Sequence, residues 1–418
     1  MIPSSPRRLP RAVWYFGATS LLNDCSSEMI YPLLPAFVTR TLGGSALALG
    51  ILDGLAESVA ALFKLISGYL AERPRLRGPL VVGGYALAAA VRPLLAVAGA
   101  AWHVVALRAT DRVGKGIRTA PRDTMIAEVV TPDVRGRAFG LHRGADHVGA
   151  IVGPLAASAL IAAGLVVRQV FWLAAVPGAL AVVAAVVAVR AARTEAAAAA
   201  TGGGTGRDGG GATEPAARSG GAVAAAEGAR AARGPFATFV AVLSLAMVFR
   251  APETLLILRA QDLGIAVALI PILWAALHVV RSSLSYPGGV LVDRWGARRT
   301  LLVGWLAYAA IAWAFARATT AGAAWGVFLS FGIVAALTES PERTLVARLA
   351  PGGRQGRGFG WYHGSVSAVS LPGAALFGWV YETWGGPFAL TLSAAVTLVA
   401  AAALALSSIG SGRDRTAG

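Results

Sequence analysis

The sequence predicts an all-α polytopic membrane protein whose twelve transmembrane helices form two pseudo-symmetric six-helix bundles. Three observations predict it. First, 56% of the 418 residues are hydrophobic and 14% are charged, with a mean hydropathy of +0.64; a soluble domain carries roughly 25% charged residues. Second, apolar windows of about twenty residues, the length a helix needs to cross a bilayer, recur along nearly the whole chain. Third, the chain repeats itself. Gly68-Tyr-Leu-Ala-Glu-Arg73 returns as Gly289-Val-Leu-Val-Asp-Arg294, and Pro121, Gly136, Arg137, Phe139 and Gly140 return as Pro341, Gly356, Arg357, Phe359 and Gly360. Two six-span halves in one orientation give this pattern.

In chain order the windows fall at 12–38, 46–71, 78–99, 101–126, 136–165 and 169–191, then at 236–260, 265–291, 298–318, 321–348, 357–383 and 386–407. The first, from Trp14, is polar in its middle and lacks a small-residue cleavage site, so it reads as a retained span and not as a removed signal peptide. Residues 192–235 are rich in Ala, Gly, Arg and Thr without an apolar period, which predicts a flexible cytoplasmic linker. The expected organisation is therefore an N-terminal bundle over 1–191, the linker over 192–235, and a C-terminal bundle over 236–418 with a short cytoplasmic tail.

The formal net charge of +16 reflects topology and not nucleic-acid binding, because the basic residues cluster in alternate connections. The N-terminus, the linker, the even-to-odd connections and the tail hold most of them, whereas the opposite loops hold Arg40, Arg168, Arg259 and Arg317. The positive-inside bias then places both termini in the cytoplasm of a multi-pass protein of the bacterial plasma (inner) membrane. The single cysteine, Cys25, excludes an intramolecular disulfide and a Cys-based metal cluster. The expected partners are the lipid bilayer and a small-molecule substrate, with no nucleic acid and a monomeric chain.

The fourth window holds the densest chemistry. Residues 108–123 carry Arg108, Asp111, Arg112, Lys115, Arg118, Arg122 and Asp123. Asp111, Lys115, Arg118 and Arg122 recur on the helical period, which predicts one charged stripe. A charge facing lipid at mid-bilayer costs about 2.5–3.5 kcal/mol, so the stripe must face protein, water or a substrate. Asp24 with Glu28 and Asp53 with Glu57 are i,i+4 carboxylate pairs in spans one and two, and span five adds His142, Asp146 and His147. Carboxylates crowded in low dielectric can carry a proton between the two sides. The competing reading is a standing network of internal ion pairs that locks helices together. The five-residue spacing of His142 and His147 sets them apart around the helix, so they are not expected to share a metal. Gly114-Lys115-Gly116 lacks the spacing of a phosphate loop.

Taken with the duplication, these motifs make the chain resemble the major facilitator superfamily. Gly68-x-x-x-Glu72-Arg73-x-x-x-Arg77 is similar to the superfamily's signature between spans two and three, with Glu where Asp is usual. The copy Gly289-x-x-x-Asp293-Arg294 stands closer to consensus. Arg112-x-x-Lys115-Gly116 resembles the span-four motif linked to proton coupling, and Gly149-x-x-x-Gly153-Pro154 resembles a span-five motif associated with antiporters. The resemblance implies the superfamily's fold and a secondary transporter working by alternating access, with the proton gradient as energy source and no cofactor, no metal and no catalytic residue. It further implies a proton-coupled efflux antiporter. A proton-coupled importer of a polar or anionic solute is the alternative. Asp24, Glu28, Asp53, Glu57, Asp111, Arg112, Lys115 and Asp146 are then expected in the coupling and substrate cavity. Gly68, Glu72, Arg73, Arg77, Asp123, Asp293 and Arg294 are expected in a gate that latches the halves. A membrane-embedded lipid-headgroup enzyme with a metal on Asp111, Asp123 and Asp146 is the remote alternative, against which the duplication argues.

Overall fold

The computed structural model describes residues 9–131, 134–202, 221–350, 355–407 and 409. Among them there are twelve successive helical spans and no strand. The N-terminal half comprises α1 (Arg11–Ile30, prolonged by shorter turns to Thr41), α2 (Ala46–Ala71), α3 (Pro74–Val91, prolonged by Arg92–Val97), α4 (Ala101–Val129), α5 (Arg135–Ala162) and α6 (Val167–Leu173 with Ala175–Gly202). The C-terminal half comprises α7 (Gly221–Val248 with Glu253–Asp262), α8 (Ile270–Trp295), α9 (Ala297–Arg317), α10 (Ala321–Leu349), α11 (Gln355–Trp384) and α12 (Gly386–Leu406). Nine of these helices, counted over the described residues, are long and apolar enough to cross a membrane. The charge-rich α4 is not among them.

Helix reaches further into the expected linker than its composition indicates: α6 continues to Gly202 and α7 begins at Gly221. An alanine-rich strand of chain has high helix propensity even without an apolar face. The rest of the expected linker, 203–220, lies outside the described residues, as do the first eight residues and those from 410 onward.

Proline breaks two helices at equivalent places in the repeat. Pro32 follows the end of the regular part of α1, and Pro252, 220 residues later, precedes the second part of α7. Proline lacks the N–H for the helical ladder and disfavours the helical conformation of the residue before it. The interruption in α7 leaves the backbone N–H groups of residues 251 and 254 free to bond elsewhere.

Three apolar cores show how the halves meet. One core gathers residues from both halves, including Leu33, Phe37, Leu49, Phe171, Leu255, Trp274, Phe328 and Phe377. All of these lie toward the ends of the helices remote from the linker. Of the other two, one belongs wholly to the C-terminal half, around Phe239, Leu301 and Trp305, and one wholly to the N-terminal half, around Phe16, Tyr85 and Ile126. The halves are thus welded on the side away from the linker, here called the outer side, and separate on the linker side. On α2 the linker-side residues Leu62, Leu65 and Tyr69 are exposed, as is Tyr286 on α8.

The weld is made where side chains are smallest. Apolar side chains gain no hydrophobic driving force from meeting in lipid, so close backbone approach supplies the contact. Gly50 lies against the backbone of Ala374, Gly54 against Leu371, and Gly378 against Ala46 and Leu47. A side chain at any of these positions would enter the backbone of the facing helix. The second inter-half seam, α5 on α8, is pinned by Ser158 Oγ donating at 2.8 Å to the carbonyl of Ala268, in the turn Val267–Leu269 that leads into α8. Gly149 and Gly153 serve the same end inside the N-terminal half, where they lie against the backbone of Leu21 and Cys25 on α1; Pro154 stays inside the helix one residue on.

Candidate functional site

Between the halves lies a cavity of about 480 Å³, lined by α1, α2 and α4 on one side and by α7, α8 and α11 on the other. A smaller cavity of about 150 Å³ adjoins it through Arg250, Ala251, Glu253 and Trp274 and runs into the C-terminal half. Glu28, Asp53, Glu57, Arg112 and Lys115 all line the larger cavity. Arg108, Tyr31, Arg250, Glu253, Trp274 and His278 join them there.

Helix α4 divides its charges between two faces. Arg108, Arg112 and Lys115, at i, i+4 and i+7, point into the cavity. Asp111, Arg118 and Arg122 turn instead toward α3. The single stripe expected through Asp111, Lys115, Arg118 and Arg122 is therefore split. Asp111 is buried and accepts from Arg92 Nε at 2.9 Å and from Arg108 Nη1 at 3.4 Å, with Arg112 at 3.9 Å. Arg92 also donates to the Asn23 carbonyl at 2.9 Å, so the cluster ties α1, α3 and α4 together. A buried carboxylate surrounded by guanidinium groups has its charge matched where it stands. Asp111 therefore serves as an internal anchor and not as a cavity group. Arg118 lies over the ring of Tyr85 at 4.5 Å and is buried.

Asp53 joins the halves. It accepts from the backbone N–H of Thr254 at 3.0 Å and from Thr254 Oγ1 at 2.8 Å, and from Tyr31 OH at 3.1 Å. Thr254 is the second residue of the helical segment Glu253–Asp262. Asp53 of α2 thus caps, across the domain boundary, a helix N-terminus that Pro252 creates. The first turn of a helix offers unpaired N–H groups and a partial positive charge, and a carboxylate answers both. Trp274 Nε1 donates to Glu28 Oε2 at 2.8 Å, a second bridge between the halves. Leu47 N donates to Glu382 Oε2 at 3.1 Å and Ser58 Oγ to the Ser367 carbonyl at 3.0 Å, completing the α2–α11 seam.

The other expected site residues lie elsewhere. Asp24 accepts from Asn23 Nδ2 at 2.9 Å and has Asp146, Lys115 and Arg118 as electrostatic neighbours, but it does not line the cavity. Asp146 accepts from Ser20 Oγ and lies 3.6 Å from His142 Nδ1. Asp111, Asp123 and Asp146 have separate partners, so they do not form a common metal site among the described residues.

The gate residues are apart in this state. Arg77 pairs with Glu128 at 2.5 Å and Arg77 Nε donates to the Ala71 carbonyl at 2.6 Å. Asp123, the expected partner, pairs with Arg122 at 2.8 Å. Glu72, Arg73, Asp293 and Arg294 are exposed, and a Cβ at Gly68 would meet nothing within 4 Å. With the linker side open, no residue of the opposing half pairs with them among the described residues.

Arg250, Glu253 and His278 fall inside the apolar windows 236–260 and 265–291, where the sequence offers no motif that marks them as site residues. The repeat carries the signal that finds some of them: at the shift of 221, Asp53 and Glu57 correspond to Trp274 and His278, and all four line the cavity. Thr254 carries no such signal, since its backbone N–H is what binds.

The sequence matches the Major Facilitator Superfamily over residues 16–370 and 236–415. It is 27% identical over 383 residues to an uncharacterised MFS-type transporter of Methanocaldococcus jannaschii, covering 90% of each chain. It is 32% identical to the multidrug resistance protein MdtH of Cronobacter sakazakii over 133 residues, which cover 32% of this chain and 33% of that one. The structure superposes on the crystal structure of the nucleoside transporter NupG with a TM-score of 0.71, covering 94% of this chain and 98% of that one, at 14% identity. At that identity the likeness shows the fold alone.

Proposed function

The chain belongs to the major facilitator superfamily and is a transporter; we propose that it works by alternating access as a proton-coupled antiporter that exports a small solute. The observation that carries this reading is the cavity itself. Both halves line it, one apolar core closes it on the outer side, and separate cores leave it open toward the linker. Rocking the halves about such a cavity exposes it to one side at a time.

Proton coupling is supported by the carboxylates Glu28, Asp53 and Glu57 on the cavity wall. Two of them, Glu28 and Asp53, hold bonds to the opposite half. Protonating either one weakens a bond that keeps the outer side shut, so proton binding and conformation are linked. Export is supported by Gly149, Gly153 and Pro154, whose motif resembles that of antiporters, and by the local likeness to MdtH, a multidrug resistance protein. The positive-inside bias supports a cytoplasmic linker side, in which case the open cavity loads from the cell interior.

The test has two parts. Spin labels at Thr41 and Thr383 report the outer side, and labels at Tyr69 and Trp295 report the linker side, in a chain whose Cys25 is replaced by alanine. Alternating access requires the two distances to change in opposite senses when pH is varied; distances that move together or not at all refute it. Everted vesicles then give the direction. An antiporter's substrate alkalinises an acid-loaded lumen, whereas a symporter's substrate acidifies the lumen as it enters.

A further inference from the structure

We propose that the transported solute is an organic anion, held between Lys115 of α4 and Arg250 of α7. The proposal rests on the transport reading above and names the substrate class of the same cavity.

The argument is a matching of charges around the cavity wall. Three of its carboxylates already have donors: Glu28 has Trp274 Nε1 at 2.8 Å, Asp53 has Thr254 and Tyr31, and Glu253 has Arg281 Nη2 at 2.6 Å. The cations are less well matched. Arg108 is held by Asp111 and lies over the ring of Tyr31 at 4.8 Å. Lys115 and Arg250 have no carboxylate within ion-pair distance among the described residues. Arg250 touches Met247 Sδ at 3.9 Å and the face of Tyr308 at 4.9 Å, with Glu253 and Glu342 as electrostatic neighbours beyond ion-pair distance. His278 lines the same wall with both ring nitrogens buried and unpartnered. Glu57 is the one carboxylate on the wall with no hydrogen bond among the described residues, and its electrostatic neighbours are Arg112 and Lys115.

Lys115 and Arg250 belong to different halves, so closing the linker side carries two like charges into a shrinking, water-poor space. Their repulsion grows as the dielectric falls, which holds the empty carrier open. A carboxylate, sulfonate or phosphonate between them turns that repulsion into two charge-assisted bonds. The body attached to the anion is of appreciable size and carries an aromatic part. A cavity of about 480 Å³ far exceeds a small oxyanion, since one water takes only about 30 Å³ of liquid volume. The Tyr31 and Trp274 rings, with centroids 5.2 Å apart, supply an aromatic wall.

The test uses the full chain in nanodiscs and four probes: 1-naphthoate, 1-naphthalenesulfonate, 1-naphthylmethylammonium and inorganic phosphate. Isothermal titration should show both organic anions binding saturably and the ammonium at least tenfold weaker. Lys115→Gln and Arg250→Gln should each weaken the anions tenfold or more. Arg250→Lys should recover most of the loss, and Arg40→Gln, at the outer surface, should bind as the parent does. Unchanged helix content and unfolding temperature show that each variant is folded. Tighter binding of the ammonium, anion binding indifferent to both glutamine variants, or phosphate binding as tightly as the organic anions would overturn the assignment. Flux of the bound probe in proteoliposomes separates the two readings. Anion binding without flux keeps the site and refutes transport; flux of the ammonium without anion binding keeps transport and refutes the site.

Discussion

Replacing Asp53 with asparagine should open the outer side, and the size of the shift follows from its contacts. The carboxylate receives two bonds from Thr254 and one from Tyr31 OH. Asparagine keeps the volume and one oxygen, so the two Thr254 bonds can persist only as neutral ones. A hydrogen bond to a charged group contributes about 1.5–3 kcal/mol and a neutral one about 0.5–1.5 kcal/mol, so the two together lose about 2 kcal/mol. The charge at the N-terminus of Glu253–Asp262 contributes a further ~0.3–1 kcal/mol. The sum is about 2–3 kcal/mol, a roughly 30- to 150-fold change in the ratio of outer-closed to outer-open molecules at about 1.4 kcal/mol per tenfold. Labels at Thr41 and Thr383, read by pulsed dipolar spectroscopy in nanodiscs at neutral pH, should show the long-distance population rise accordingly. Protonation removes the same charge, so the parent chain at low pH should move toward the variant's distribution. A distance distribution in Asp53→Asn that matches the parent's at every pH would refute the bridge as the element holding the outer side shut.

Asp111→Asn should destabilise the N-terminal half by about 3–5 kcal/mol, because it leaves Arg92 and Arg108 buried without a counter-charge; a lower unfolding temperature is the expected result. Gly54→Val should prevent α2 from reaching the Leu371 backbone of α11, giving a folded chain trapped open on the outer side, measured with the same pair of labels. Arg112→Ala should abolish coupled transport, and flux at the parent's rate under a pH gradient would remove that role. Glu128→Gln should change stability by less than about 1 kcal/mol, since its pair with Arg77 is exposed, and a larger fall in unfolding temperature would show that the pair holds more than the loop.

Several features were legible because they depend on periodicity and composition. A hydrophobic stretch of twenty residues is an insertion requirement in itself, and the windows match the observed spans closely. The close approach of α5 to α1 has an equally local origin, since Gly149 and Gly153 sit one helical turn apart and face one neighbour. The two faces of α4 were not readable. Asp111 and Lys115 are four residues apart and separated by only 40° around an ideal helix, yet one meets α3 and the other the cavity. That choice belongs to the neighbouring helices, which decide where between them the boundary falls. Glu128 was missed as the partner of Arg77 for a related reason: the loop pairs locally with the end of α4, a contact set by how the two helices meet.

By itself, then, the sequence determined that the chain spans a membrane twelve times, that it is a duplicated six-helix unit, and that charges in spans one, two and four must be sheltered from lipid. Each of these follows from local cost: an unpaired backbone or charge in hydrocarbon is penalised wherever the helix later packs. The tertiary structure decided which charges answer one another. Asp53 caps a helix 200 residues away, Asp111 is consumed as an anchor, and Lys115 and Arg250 are left facing the cavity. Those outcomes depend on which helices meet, within one half for Asp111 and between the halves for Asp53, Lys115 and Arg250, and such pairing leaves no periodic trace in the sequence.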